Sequence, residues 1–173
     1  MVRKLWCKDA VRLGKTSYGR PITEKQIQGL SSYKIDELMN IEIEYLGYLA
    51  FKCLMNNHQI VFDNMTLCDA MDGLDKNRQR NNMESLPASL LDDLKQTSFL
   101  HSADADLNTS ADNLQGSWHF LHLTFQEYFA ATWLARHLQT KLTQGRGSPM
   151  LMMTPEESSA FVREYKYNPR YEI

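Results

Sequence analysis

Apolar residues recur at helical spacing through most of the chain, and short polar segments separate the apolar runs. At the start, apolar side chains fall about one helical turn apart, which predicts a helix over residues 1–13. These side chains are Val2, Leu5, Trp6 and Val11. The pattern is already under way at the first residue, so we expect this helix to be the end of a longer one.

A capping signal and a broad apolar band predict the next two helices. Thr23 and Gln26 have the spacing of a capping box, so a short helix is expected to run to about Leu30. A longer helix is predicted over residues 34–55, with a break near Asn40. Its apolar band is so broad that we expect burial on more than one side.

The middle of the chain predicts a strand and two more helices. Residues 58–62 are a short strand candidate, and Asp63 is placed to cap a short helix through about Met71. After a polar segment, a third helix is predicted from near Pro87 to about Thr97, because proline is favoured in the first helical turn.

A hairpin completes this part of the chain. Two apolar runs, residues 98–103 and 117–123, lie on either side of a polar loop, which predicts two antiparallel strands. The order is then helix, strand, helix, helix and hairpin, the topology of a winged helix. We therefore predict a mainly α fold, in which a winged-helix domain with a small β-hairpin precedes an α-helical, superhelical segment.

The last part of the chain predicts further helices. The first runs from Thr124 to about Leu142, and Glu127 has capping-box spacing from Thr124. A Gly/Ser break follows, and then a helix that opens at Thr154. Residues 168–173 have the pattern of another helix that has only begun and is too short to stand alone. We expect the chain to be a fragment of a longer protein.

These elements divide the chain into three parts. Residues 1–33 are predicted to be the end of a first helical domain with its linker, residues 34–123 the winged-helix domain, and residues 124–173 the truncated start of a second helical domain. At the second boundary, aromatic and small side chains predict a tightly packed junction. They are Phe125, Tyr128, Phe129, Ala130, Ala131, Trp133, Leu134 and Ala135.

The composition of the chain argues against several classes of function. The 173 residues carry a formal net charge of −2, so no overall positive field favours nucleic acid or an anionic membrane. No apolar run approaches the roughly 20 residues that span a bilayer. The charged start is not a signal peptide. Three cysteines without C-x-x-C spacing are typical of a reducing compartment, so we expect a cytoplasmic protein without a membrane partner.

Two patterns look catalytic but lack essential parts. The segment LGKTS, residues 13–17, is similar to the end of a P-loop, yet Asp9 stands where the first glycine is needed. We expect Lys15 to be a solvated linker lysine. His119 and His122 would point to opposite faces of a strand, so they are a poor metal pair. The chain is therefore not expected to be an enzyme by itself.

A winged helix often reads DNA with its third helix, and here the charges oppose that function. The predicted third helix carries Asp92 and Asp93 against Lys95 alone, and the hairpin loop adds three more aspartates. Recognition of phosphates requires lysine and arginine along the contacting face. We therefore expect no nucleic-acid partner.

One stretch resembles a known family. The segment FLHLTFQEYFAATWLA has the form F-x-H-x-[TS]-F-Q-E-[FY]-x-A, which is typical of NACHT-type signalling NTPases, the group that includes NOD-like receptors. In that family it spans the last winged-helix strand and the first helix of the next domain. The matching residues are Phe120, His122, Thr124, Phe125, Gln126, Glu127, Tyr128 and Ala130.

The resemblance implies a function for His122. In NACHT proteins the histidine of this motif contacts the β-phosphate of ADP and holds the closed, inactive form. It implies further that ADP or ATP is bound mainly by an upstream nucleotide-binding domain in cis, and that the active parent protein forms a homo-oligomer. The chain would then be a regulatory nucleotide-sensing module without Walker motifs of its own.

Other interpretations remain open at this point. Without the resemblance, His122 would be a core histidine bonded to a backbone carbonyl, on a strand with Trp118 and Phe120. The chain as a whole could instead be a DNA-binding winged-helix regulator, or a helical scaffold in which no nucleotide takes part.

Overall fold

The computed structural model describes residues 1–17, 19–103 and 116–143. These residues are mainly helical and contain two small antiparallel sheets. The helices are α1 (Val2–Arg12), α2 (Glu24–Gln28), α3 (Ser32–Leu38), α4 (Asn40–Met55), α5 (Asn64–Arg80), α6 (Leu90–Lys95) and α7 (Leu123–Thr143). The strands are β1 (Thr16–Ser17), β2 (Arg20–Pro21), β3 (Val61–Asp63), β4 (Leu100–Ser102) and β5 (Ser117–Phe120).

The middle of the chain has the predicted winged-helix order. Helix α4, strand β3, helices α5 and α6, and the β4–β5 hairpin follow one another, and the sheet order is β3-β5-β4. The central strand β5 is antiparallel to both neighbours, so His119 lies opposite Val61 on one side and His101 on the other. The mainly α fold class with a small β-hairpin is confirmed.

Capping side chains begin two of the helices where the sequence predicts. Thr23 and Gln26 form both hydrogen bonds of a capping box at the start of α2. At the start of α5, the Asp63 carboxylate accepts hydrogen bonds from the Thr66 backbone N–H at 2.7 Å and from its hydroxyl at 2.8 Å. The bond from the Thr66 backbone is the main cause that lowers the pKa of Asp63 below its ordinary value.

Helix α5 is longer than the sequence predicts. It does not end near Met71 but continues to Arg80, through residues whose polarity indicated a loop. Its buried stripe extends from Leu67 through Leu74 to Arg78. The buried Arg78 guanidinium pairs with Glu44 on α4 and donates to the Glu84 carbonyl at 2.8 Å. A charged residue with such partners continues the helix face as an apolar one would.

The long predicted helix is divided in two by Met39, close to the expected break at Asn40. The third helix is shorter than expected, because α6 ends at Lys95 and Phe99 lies in the following turn. The helix predicted to open at Thr154 and the aspartates of the hairpin loop lie outside the described residues. The division of the chain at residues 33 and 123 stays a prediction.

An aromatic cluster joins the first helix, the hairpin and the last described helix. The Phe99 ring lies 4.3 Å from that of Trp6, 5.4 Å from that of Phe125 and 5.0 Å from that of Phe129, measured between centroids. Beside it, buried Asp9 accepts hydrogen bonds from the Ser98 backbone N–H at 2.9 Å and hydroxyl at 2.8 Å. Packing and hydrogen bonds therefore tie α1 to the start of β4.

Helix α7 packs against α4 at very short range. A Cβ atom added to Gly47 of α4 would lie 2.6 Å from Cβ of Trp133 and 3.1 Å from the Phe129 carbonyl oxygen. The predicted small residues on α7 contribute less, since Ala130 is buried while Ala131 and Ala135 are exposed. The close approach of the two helices therefore depends on Gly47.

We predict that Gly47→Ala destabilises the fold by about 1–3 kcal/mol, because the new methyl group must displace α7. At an exposed helix position the change from glycine to alanine would stabilise the fold by about 1 kcal/mol. A loss of stability would therefore show that the new methyl group collides with α7. Urea denaturation measures the effect.

Gly29→Ala, just after α2, is the control. Its methyl group would lie 3.5 Å from the Gln26 carbonyl oxygen, an ordinary van der Waals distance, and its backbone is already right-handed helical with φ of −80°. We expect little or no loss of stability there. Equal losses in both variants would contradict the role given to Gly47.

Candidate functional site

His122 lies between the hairpin and helix α7. Strand β5 ends at Phe120, and Leu121 and His122 connect it directly to the helix. His122 is therefore outside the strand, which corrects its predicted alternation with Trp118 and Phe120. Its side chain is exposed, so the alternative of a core histidine is also wrong.

His122 itself caps α7. Its carbonyl oxygen accepts hydrogen bonds from the backbone N–H groups of Phe125 at 2.9 Å and Gln126 at 3.4 Å. Its ring turns back over the first turn, where Nδ1 accepts from the Thr124 backbone N–H at 3.3 Å. The helix begins at Leu123, so Thr124 lies inside the first turn. The capping box predicted for Thr124 and Glu127 is wrong, because histidine occupies the capping position.

These contacts determine which ring nitrogen carries the proton. A backbone N–H can only donate, so Nδ1 of His122 must accept and, in the neutral ring, the proton lies on Nε2. The Thr124 hydroxyl is 2.9 Å from Nδ1 and can donate to the same lone pair. Among the described residues, Nε2 has no hydrogen-bond partner. His122 therefore presents an outward N–H donor.

The backbone of this site is held on both sides. The Leu121 N–H donates to the Phe99 carbonyl at 2.9 Å, and the Phe125 ring packs edge-on against Phe99. On the other side, fully buried Gln126 donates from Nε2 to the Gln59 carbonyl at 2.9 Å, in the connection between α4 and β3. No local pattern in the sequence indicates this role of Gln126, because its partner is 67 residues away.

Exposed apolar side chains border the histidine. Leu121 and Leu123, on either side of His122, are each 44% exposed, and Tyr128 in the next turn is 47% exposed. Tyr128 was expected in the core, and its exposure corrects that prediction. A polar N–H donor among exposed apolar groups is a common arrangement in binding surfaces.

No known protein family, curated protein or solved structure matches this chain. Within the described ranges, no helix combines the length and apolar character needed to cross a membrane.

The P-loop-like segment does not form a phosphate cradle. Gly14 and Lys15 follow the end of α1, and Lys15 forms an ion pair with Glu42, a buried residue of α4. The second oxygen of this carboxylate, Oε2, has no hydrogen-bond partner in the described part of the chain. Lys15 is therefore not the solvated linker lysine that the sequence predicts; it compensates a buried charge.

Among the described residues, the remaining candidate groups are unclustered, buried or engaged in other contacts. Residues 1–17, 19–103 and 116–143 contain no cluster of three or more metal-ligating side chains. Burial raises the pKa of the Cys53 thiol to about 12, which removes its nucleophilic character at neutral pH. On α6, the Lys95 ammonium lies 5.4 Å from the centre of the Trp118 ring and is engaged in a cation–π contact.

We predict that Lys15→Met destabilises the fold by about 2–3 kcal/mol, because it leaves the Glu42 carboxylate buried and uncompensated. This loss of stability is smaller than the loss expected for a fully buried ion pair, since the Lys15 side chain is 27% exposed. Thermal denaturation at neutral pH measures the loss.

Lys34→Met is the control, because Lys34 pairs with Glu37 at 2.9 Å where both side chains are 55% exposed. An exposed pair contributes less than about 1 kcal/mol. If both variants lose the same stability, Lys15 does not compensate a buried charge.

Proposed function

We propose that this chain is a regulatory nucleotide-sensing module of a NACHT-type NTPase. In this proposal an upstream domain binds ADP, and the module closes over it so that His122 donates to a phosphate oxygen. The observation that carries the proposal is the outward Nε2–H of His122, held in that form by Thr124 at the start of α7.

The residues present suit a phosphate group. When bound, ADP would supply acceptor oxygens with negative charge, which the positive end of the α7 dipole favours. The backbone N–H groups of Thr124, Phe125 and Gln126 already donate within the first turn. The His122 side chain therefore extends the donor capacity of the helix end outward, beyond its own amides.

The exposed leucines support closure against another domain. Leu121 and Leu123 would lose water together with His122 when a second surface covers this end of α7. A histidine that contacts phosphate at the edge of such an interface would link nucleotide state to domain closure. Loss of the contact would favour the open form, which in this proposal assembles into a homo-oligomer.

The histidine contact can provide only part of the switch. A hydrogen bond to a charged group contributes about 1.5–3 kcal/mol. Moving an equilibrium from 1:99 to 99:1 requires about 5.5 kcal/mol of differential binding. The interface around His122 must therefore supply the rest, and the module would bias the equilibrium without determining it alone.

We predict that His122→Leu in the full-length protein weakens ADP retention roughly ten- to a hundredfold and increases spontaneous oligomerisation. The loss follows from the missing Nε2–H donor. Quantification of nucleotide released from the purified protein, together with size-exclusion chromatography, measures both effects.

His122→Asn separates the phosphate contact from helix capping. Asparagine is among the best capping residues, so this variant retains the start of α7 but lacks the long donor. We expect His122→Asn to retain as little ADP as His122→Leu does. Full retention in His122→Asn would mean that the cap matters and the donor does not.

Unchanged ADP retention in both variants would leave the helical scaffold as the function of the chain. Salt-sensitive binding to duplex DNA would favour a winged-helix regulator.

A further inference from the structure

Two histidines lie side by side on the β4–β5 hairpin. His101 and His119 are directly opposite each other in the antiparallel register, and their ring centroids are 6.2 Å apart. Side chains alternate along each strand, so both rings lie on the face opposite to buried Phe120 and Leu100. The same face carries Val61, which is 52% exposed.

The separation of the rings is close to that of two ligands on one metal ion. With metal–nitrogen bonds of about 2.0–2.1 Å, two imidazoles on one tetrahedral ion have centroids roughly 5 Å apart. The rings of His101 and His119 therefore need to approach by about 1 Å, which rotation of the exposed His101 side chain toward the half-buried His119 allows. The paired strands already hold the backbones of His101 and His119 opposite each other. Binding of an ion therefore has to order only the two side chains.

The donor chemistry selects the ion. Imidazole nitrogen suits zinc, nickel and copper, whereas magnesium and calcium require oxygen ligands. No third metal-ligating side chain joins the pair within the described residues. Such a site leaves positions on the ion open for water or for a ligand from another molecule.

We propose that His101 and His119 form a binding site at the protein surface for a late first-row divalent ion such as Zn²⁺ or Ni²⁺. This site is separate from His122, since it lies on the sheet face and does not depend on any nucleotide. Its two ligands come from neighbouring strands, so a bound ion also holds the hairpin closed and stabilises the folded chain.

Calorimetric titration of the untagged chain with NiCl₂ tests the proposal. The expected result is one ion per chain, with binding weakened at least tenfold in His101→Gln and in His119→Gln. The double variant should be little weaker than either single one, because one imidazole alone does not chelate. His58→Gln, in the connection between α4 and β3, is the matched control and should bind as the original chain does.

A spectroscopic measurement covers the case in which a variant is unstable. The electron paramagnetic resonance spectrum of bound Cu²⁺ in the original chain should show two equivalent nitrogen ligands. Absence of binding, a signal from a single nitrogen, or binding by either single variant as tight as that of the original chain would overturn the proposal. Binding of Mg²⁺ with the same affinity would overturn the assignment to imidazole ligands.

Discussion

At Gly47 the helices α4 and α7 approach so closely that a single methyl group would collide with Trp133 and the backbone of Phe129. This close packing sets the position of α7 along its length. With the helix in that place, Phe125 and Phe129 reach the Phe99 ring, and Gln126 reaches the carbonyl of the α4–β3 connection. The first turn of α7 therefore begins after a connection of only two residues from β5, Leu121 and His122.

The geometry of His122 follows from that placement. Its carbonyl and Nδ1 both face the helix that it caps, so the only ring donor left points away from the fold. His122 therefore provides both the cap of α7 and the outward donor, and α7 itself is packed on α4. A ligand at Nε2 would therefore bind at the start of a helix that is packed closely against α4.

Local signals were sufficient for much of the fold. Several predicted features depend only on neighbouring residues, and the structure confirms them. They are the caps at Thr23 and Asp63, the break near Asn40 and the winged-helix order. Features that depend on distant partners were not predictable. Arg78 continues α5 because Glu44 pairs with it, and Lys15 is engaged by Glu42. The sequence predicts the cap of α7 at Thr124, because threonine is a preferred capping residue and Glu127 follows three positions later; histidine, which occupies the position in the structure, is not among the preferred residues.

The α7 cap holds His122 with its proton on Nε2. Long-range ¹H–¹⁵N correlation spectroscopy of the chain, with the His122 signal assigned from its absence in His122→Asn, tests this directly. At a pH where the ring is neutral, we expect a protonated Nε2 and an unprotonated Nδ1. A proton on Nδ1, or a rapidly averaged mixture of the two forms, would contradict it.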